Sequence, residues 1–118
     1  MYSARLLDHF QNPRNVGELP PPAVTVEVSN LVCGDILRLS AEFQDGRVAR
    51  ALYKTRGCTA SIAAGSALTG LLIGKTAPEI AALRAIDVEN AVGGLSSESK
   101  HAALLAVDAA RALLRKAG

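Results

Sequence analysis

The sequence has no tryptophan and only two tyrosines and two phenylalanines, so aromatic residues make up 3% of its 118 positions. Single-stranded nucleic-acid readers stack bases on exposed aromatics and track the backbone with a basic stripe. This chain has neither, since its 13 basic and 11 acidic residues are scattered and leave a formal charge of +2. Cysteine is also scarce, with two residues at Cys33 and Cys58. Two thiols cannot build the disulfide framework of a small secreted scaffold. No apolar run approaches the roughly 18 to 20 residues that span a bilayer. The longest candidate, 102–114, is broken by Asp108 and Arg111. The polar opening from Met1 to His9 lacks the apolar stretch of a signal peptide. The expectation is a soluble cytoplasmic protein with no nucleic-acid or membrane partner, whose thiols stay reduced.

The composition, 49% apolar and 20% charged, suffices to bury one core. We expect a single domain over 1–118. Ser3 to Gln11 places Leu6, Leu7 and Phe10 at helical spacing and ends before Pro13. Val24, Val26 and Val28 alternate with polar residues, as do Leu37, Leu39, Ala41 and Phe43, which is the period of half-buried strands. Asp45-Gly46 is a favoured hairpin turn, and Arg47 to Thr55 returns as a third strand. Thr59 to Ile73 then reads as a helix rich in small residues, stopped at Gly74. Thr76 and Glu79 have capping-box spacing and open a helix expected to reach Arg84, with another turn at Asp87–Val92. After Gly93-Gly94, Ser97 is positioned to cap a last helix running to about Lys116. The predicted fold class is α+β. It is a three-stranded antiparallel sheet with helices packed mainly on one face, an N-terminal helix and a long C-terminal helix.

Cys33-Gly34-Asp35 lies between two strands, where Gly34 permits a tight turn and lets thiol and carboxylate face one point. Cys58 precedes a helix, whose positive dipole end favours thiolate. His101 falls in the first turn of the last helix, where the same dipole favours the neutral ring. Thiolate, thiolate, imidazole and carboxylate suit zinc or an iron–sulfur centre. The spacing matches no standard zinc motif, and a pair of core thiols with a surface histidine is an equally economical reading. His9, beside Asp8, reads as a local hydrogen-bond partner or surface residue. No Ser–His–Asp or Cys–His arrangement and no phosphate-binding glycine loop stands out.

Several ordered strings nevertheless carry a resemblance. They are 8–17 (DHFQNPRNVG), 33–35 (CGD), 53–58 (YKTRGC), 61–63 (SIA), Gly74-Lys75, Gly94-Leu95 and Lys100-His101. Together the chain resembles iron–sulfur cluster assembly scaffold proteins of the IscU type, also found as the N-terminal domain of NifU. The resemblance implies a scaffold or carrier rather than a turnover catalyst. Its cofactor would be a [2Fe–2S] cluster or iron, with zinc as the alternative occupant, held by Cys33, Asp35, Cys58 and His101. The implied partners are a cysteine desulfurase and recipient apo-proteins, with the chain a monomer or weak homo-oligomer. Two positions depart from the family pattern. The family's third cysteine follows the histidine, and here that residue is Ala102. The family's chaperone-recognition stretch, Leu-Pro-Pro-Val-Lys, is here Leu95-Ser96-Ser97-Glu98-Ser99, which counts against docking of an Hsp70-type chaperone. A second expectation is therefore a zinc-binding or metal-free module that docks on a desulfurase without building clusters, and a third is a relative that keeps only the fold.

Overall fold

Alternating apolar and polar residues resolve into three antiparallel strands in the computed structural model, which describes residues 2–30 and 34–117. They are β1 (Val24–Asn30), β2 (Asp35–Gln44) and β3 (Arg47–Arg56), in the spatial order β1-β2-β3. The register sets Val26 opposite Leu39, and Leu39 opposite Tyr53. Leu37, Leu39, Ala41, Ala51 and Tyr53 thereby form one buried face. Asp45 and Gly46 turn the hairpin with φ of 54° and 78°, the left-handed pair that matches the twist of adjoining strands. β2 starts two residues before the expected Leu37, because Asp35 pairs across to Asn30.

Helices close over that face. They are α1 (Ala4–Gln11), α2 (Thr59–Leu72), α3 (Ala77–Ala81), α4 (Ala85–Ala91) and α5 (Lys100–Ala117), with a 3₁₀ turn at Ser97–Ser99. α2 is buried almost all round through Ala60, Ala63, Ala64, Ala67 and Leu68. Its small residues permit close approach to the sheet: a Cβ on Gly65 would lie 2.6 Å from Tyr53 Cδ2 and 2.6 Å from Cε2. α5 buries Ala103, Ala106, Val107, Ala110 and Leu113 and exposes Asp108, Arg111 and Arg115, as its periodicity predicts. No helix among the described residues is long and apolar enough to cross a membrane.

Two expectations change. The helix predicted from Thr76 to Arg84 stops earlier, as α3 at Ala81, and the turn predicted at Asp87–Val92 starts earlier, as α4 at Ala85, because a second start signal follows the capping box. Arg84 is extended, with φ −120° and ψ 161°, and its N–H donates to the Asp87 carboxylate at 2.8 Å, so the chain leaves one helix and begins another. Ser97 lies inside the 3₁₀ turn, and Ser96 takes the capping position.

The string at 8–17 has a structural role. His9 Nδ1 lies 2.8 Å from Ser66 Oγ, and the Arg14 backbone N–H donates to the same oxygen at 2.9 Å. Asn15 Nδ2 donates to Thr69 Oγ1 at 3.1 Å. Val16 bridges Tyr53 in parallel, with Tyr53 N–H donating to the Asn15 carbonyl and Gly17 N–H to the Tyr53 carbonyl. His9 is therefore a tertiary contact to α2 rather than a local or surface group. The segment as a whole covers the outer edge of β3, which would otherwise present unpaired backbone groups.

Candidate metal centre

Three elements bring three different donors to one point at the end of the sheet. Asp35 is the first residue of β2, placed by a turn in which Gly34 takes φ +73° and donates its N–H to the Asn30 carbonyl at 2.8 Å. Cys58 is the N-cap of α2, directly after β3. His101 stands in the first turn of α5. The ligand atoms of these three residues all lie within 4.8 Å of one another. Cys33, the fourth residue expected at this site, lies outside the described residues. Ala102 is 1% exposed and belongs to the hydrophobic core, where it offers no donor atom.

The spacings are chemically specific. His101 Nε2 lies 3.2 Å from Asp35 Oδ2 and 3.7 Å from Cys58 Sγ, and Sγ lies 3.8 Å from Oδ2. Zinc bond lengths near 2.3 Å to sulfur and 2.0–2.2 Å to nitrogen or oxygen give tetrahedral edges of about 3.6 Å for S···N and S···O and about 3.4 Å for N···O. The three observed edges match this within about 0.2 Å, the tolerance of a formed site. The residues therefore fit one tetrahedral ion.

His101 Nδ1 is 3.1 Å from the Glu98 carbonyl. A carbonyl only accepts, so Nδ1 donates its N–H to Glu98, and Nε2 is the nitrogen that faces Asp35 and Cys58. This assignment separates ligation from nucleophilic catalysis. In a Cys–His–Asp triad the base uses one nitrogen for the nucleophile and the other for the carboxylate. Here both groups face the same nitrogen, which departs from the triad arrangement and suits shared ligation of one ion.

Asp35 is 2% exposed and pairs with no lysine or arginine among the described residues. The His101 side chain is 23% exposed, so the centre is open on one side. The N-termini of α2 and α5 both meet here.

Two residues that the sequence reading placed in the family-like strings 53–58 and 61–63, but not at the site, support it. A Cβ on Gly57 would lie 2.3 Å from Asp35 Oδ1, 2.7 Å from its Cγ and 2.7 Å from Ser61 Oγ. Only a glycine at this position lets Asp35 sit against the turn into Cys58. Ser61 is buried, donates to the Cys58 carbonyl at 2.9 Å, and holds its oxygen 3.7 Å from Sγ. The Gly57 signal was available as a glycine directly before a candidate ligand; that of Ser61 was its place at the head of the string 61–63, three residues after Cys58.

Comparison with known proteins places this geometry in context. A family model described as the NifU-like N-terminal domain matches residues 1–116. Iron-sulfur cluster assembly scaffold protein IscU 1 of Archaeoglobus fulgidus is 40% identical over 111 residues, covering 94% of this chain and 72% of its own. The iron-sulfur cluster assembly scaffold protein IscU of Azotobacter vinelandii is 34% identical over 118 residues, covering 97% of this chain and 91% of its own. The crystal structure of a NifU-like protein (N-terminal) from Brucella abortus superposes with a TM-score of 0.75 over 97% of this chain and 92% of that one. At 21% identity, that likeness shows the shared α+β fold.

Proposed function

Since the chain belongs to the NifU-like N-terminal domain family of iron–sulfur cluster assembly scaffolds, we propose that it is a single-domain carrier of iron or a nascent [2Fe–2S] cluster. The observation that carries this reading is the convergence of Asp35, Cys58 and His101 at the spacings of a shared ion. Cys33, two residues before Asp35, is the fourth ligand of the proposal. The cargo is iron with sulfide. A cysteine desulfurase is the source of the sulfur, and recipient apo-proteins take the product. The protein binds and releases rather than turning over a substrate. It works in a reducing cytoplasmic compartment, where thiols remain available.

The donor set suits temporary custody. A carboxylate is a hard ligand and a thiolate a soft one, so iron held partly by Asp35 is more labile than iron held by thiolates alone. Mixed thiolate and imidazole ligation of a [2Fe–2S] cluster has a precedent in Rieske centres. Ala102 removes a thiol at the position following His101, so sulfur transferred to protein must be accepted by Cys33 or Cys58.

One observation supports a second reading. The three described donors share a single ion's tetrahedron, whereas a two-iron cluster divides its ligands between metals. Zinc on Asp35, Cys58, His101 and Cys33 would be a closed structural site, and the protein would then be a module docking on a desulfurase without building clusters.

Anaerobic reconstitution with iron, sulfide and a thiol reductant separates the two. The scaffold reading expects visible sulfur-to-iron charge-transfer absorption that Cys58→Ser or Cys33→Ser abolishes. A colourless product retaining one zinc per chain refutes it. If only Ala102→Cys gains the absorption, the natural protein is degenerate at its site and builds no cluster. Unchanged desulfurase turnover together with no co-elution refutes the docking module.

A further inference from the structure

The residue before His101 makes an unequal ion pair. Lys100 Nζ lies 2.7 Å from Glu89 Oε1; the glutamate side chain is 12% exposed and the lysine side chain 53%. Exposed pairs hold little geometry, but a carboxylate withdrawn from water depends on its partner. Lys100 is the cation paired with Glu89 among the described residues. Glu89 itself stands on fixed ground. Its carbonyl accepts from Gly94 N–H at 2.7 Å, its neighbour Val88 is fully buried, and the Ser3 hydroxyl and Arg5 guanidinium hold the carbonyls of Val92 and Asn90.

The chain between the paired residues is built to bend. Gly93 and Gly94 take φ of 76° and 99°, and the Ser97–Ser99 turn follows. That stretch ends on Glu98, whose carbonyl receives the His101 Nδ1–H. The direction of the ring thus depends on where a loop with two left-handed glycines comes to rest.

We infer that the Glu89–Lys100 pair is the positioning device for His101. By closing the loop 90–99 it fixes the first turn of α5. Nδ1–H then meets the Glu98 carbonyl, and Nε2 faces Asp35 and Cys58. The inference rests on the metal-centre reading, in which His101 is a ligand; Glu89 and Lys100 act through it and touch no metal themselves.

The test uses wild type, Glu89→Gln, Lys100→Met, Lys100→Arg and His101→Ala. Heteronuclear NMR of the imidazole nitrogens in the metal-free proteins reads the state of His101 Nδ1. Wild type and Lys100→Arg are expected to keep Nδ1 protonated and hydrogen-bonded to the Glu98 carbonyl, and Glu89→Gln and Lys100→Met to lose that bond. Cobalt(II) titration, followed by its thiolate charge-transfer and ligand-field bands, reads the consequence. Glu89→Gln and Lys100→Met are expected to bind about tenfold more weakly, with altered ligand-field bands, the size typical of losing an outer-shell partner. A merely structural pair would lower the urea midpoint and leave the Nδ1 bond and the bands unchanged, and that result overturns the inference. Failure of wild type to bind cobalt, or full binding by His101→Ala, would instead refute the metal-centre reading, while the NMR measurement still decides whether the pair orders the ring.

Discussion

Gly57→Ala puts one methyl group into the tightest place beside the centre. The added Cβ would begin 2.3 Å from Asp35 Oδ1, while ordinary van der Waals contact starts at 3.4 Å. Relief therefore needs a shift of about 1 Å, against the roughly 0.2 Å tolerance of metal–ligand distances. The carboxylate moves as a rigid group, so displacing Oδ1 also displaces Oδ2, the atom 3.2 Å from His101 Nε2. The expected loss in cobalt(II) affinity is about 10- to 100-fold. Stability responds to two opposed effects: a stiffer unfolded chain contributes about 0.4 to 1 kcal/mol, and overpacking costs about 1 to 3 kcal/mol. The net is a destabilisation of about 1 to 2 kcal/mol, readable as a lower urea midpoint at unchanged slope. Adding Ser61→Ala removes the oxygen 2.7 Å from the new methyl but leaves the clash with Asp35. The double variant should regain part of the stability and none of the affinity. Cobalt binding by Gly57→Ala within about twofold of wild type, with the same ligand-field bands, would refute the claim that this glycine sets the carboxylate.

Other glycines and two titrating groups give further tests. Gly65→Ala drives a methyl to 2.6 Å from the Tyr53 ring, so it should destabilise by about 1 to 2 kcal/mol despite alanine's better helix propensity. Gly70→Ala in the same helix meets nothing within 4 Å and should stabilise by up to about 1 kcal/mol; urea denaturation of both reverses the argument if the signs are exchanged. Burial pushes the Tyr53 phenol up from 10.0 to about 12. The folded state favours the neutral phenol, so this contribution is complete below pH 10 and is lost as pH rises towards 12. Phenolate absorbance should show a step near pH 12 that Tyr53→Phe removes. Burial, helped by the Arg14 charge, holds His9 below its ordinary 6.5 although Asp8 opposes the shift. The folded state then favours the neutral ring, with its contribution complete above pH 6.5 and falling as acid protonates it. Urea midpoints should drop more steeply on acidification in wild type than in His9→Gln, and parallel profiles would count against the assignment.

The sheet was legible because each of its signals is local. Val24 to Val28 and Leu37 to Phe43 alternate, and Asp45-Gly46 supplies the left-handed turn between them and β3. The helix break was half legible: Thr76 and Glu79 announce a start, but Arg84 and Asp87 form a second one without a glycine or proline to mark it. Asp35, Cys58 and His101 were each recognisable as donors from their element termini. Their convergence was implied by the family resemblance and not by their spacing, because it depends on β2, α2 and α5 meeting at one end of the sheet. Gly57 and Gly65 show the same boundary. Their identity is printed in the chain, whereas the atoms that forbid a side chain belong to Asp35 and Tyr53, distant in sequence. The pair between Glu89 and Lys100 looks like ordinary surface charge until the burial of Glu89 is known.

The strap over β3 has a consequence for the order in which the protein can be made. Residues 8–17 are translated before their partners Tyr53, Ser66 and Thr69, and Ser3 before Val92. Contacts this distant in sequence are the slow ones to close. This segment thus docks only after α2 has been made. Metal custody follows a similar timetable, since Asp35 and Cys58 have no imidazole to join them until α5 has begun. A nascent or truncated chain that ends before His101 lacks the third donor, so the centre can be completed only once α5 has begun.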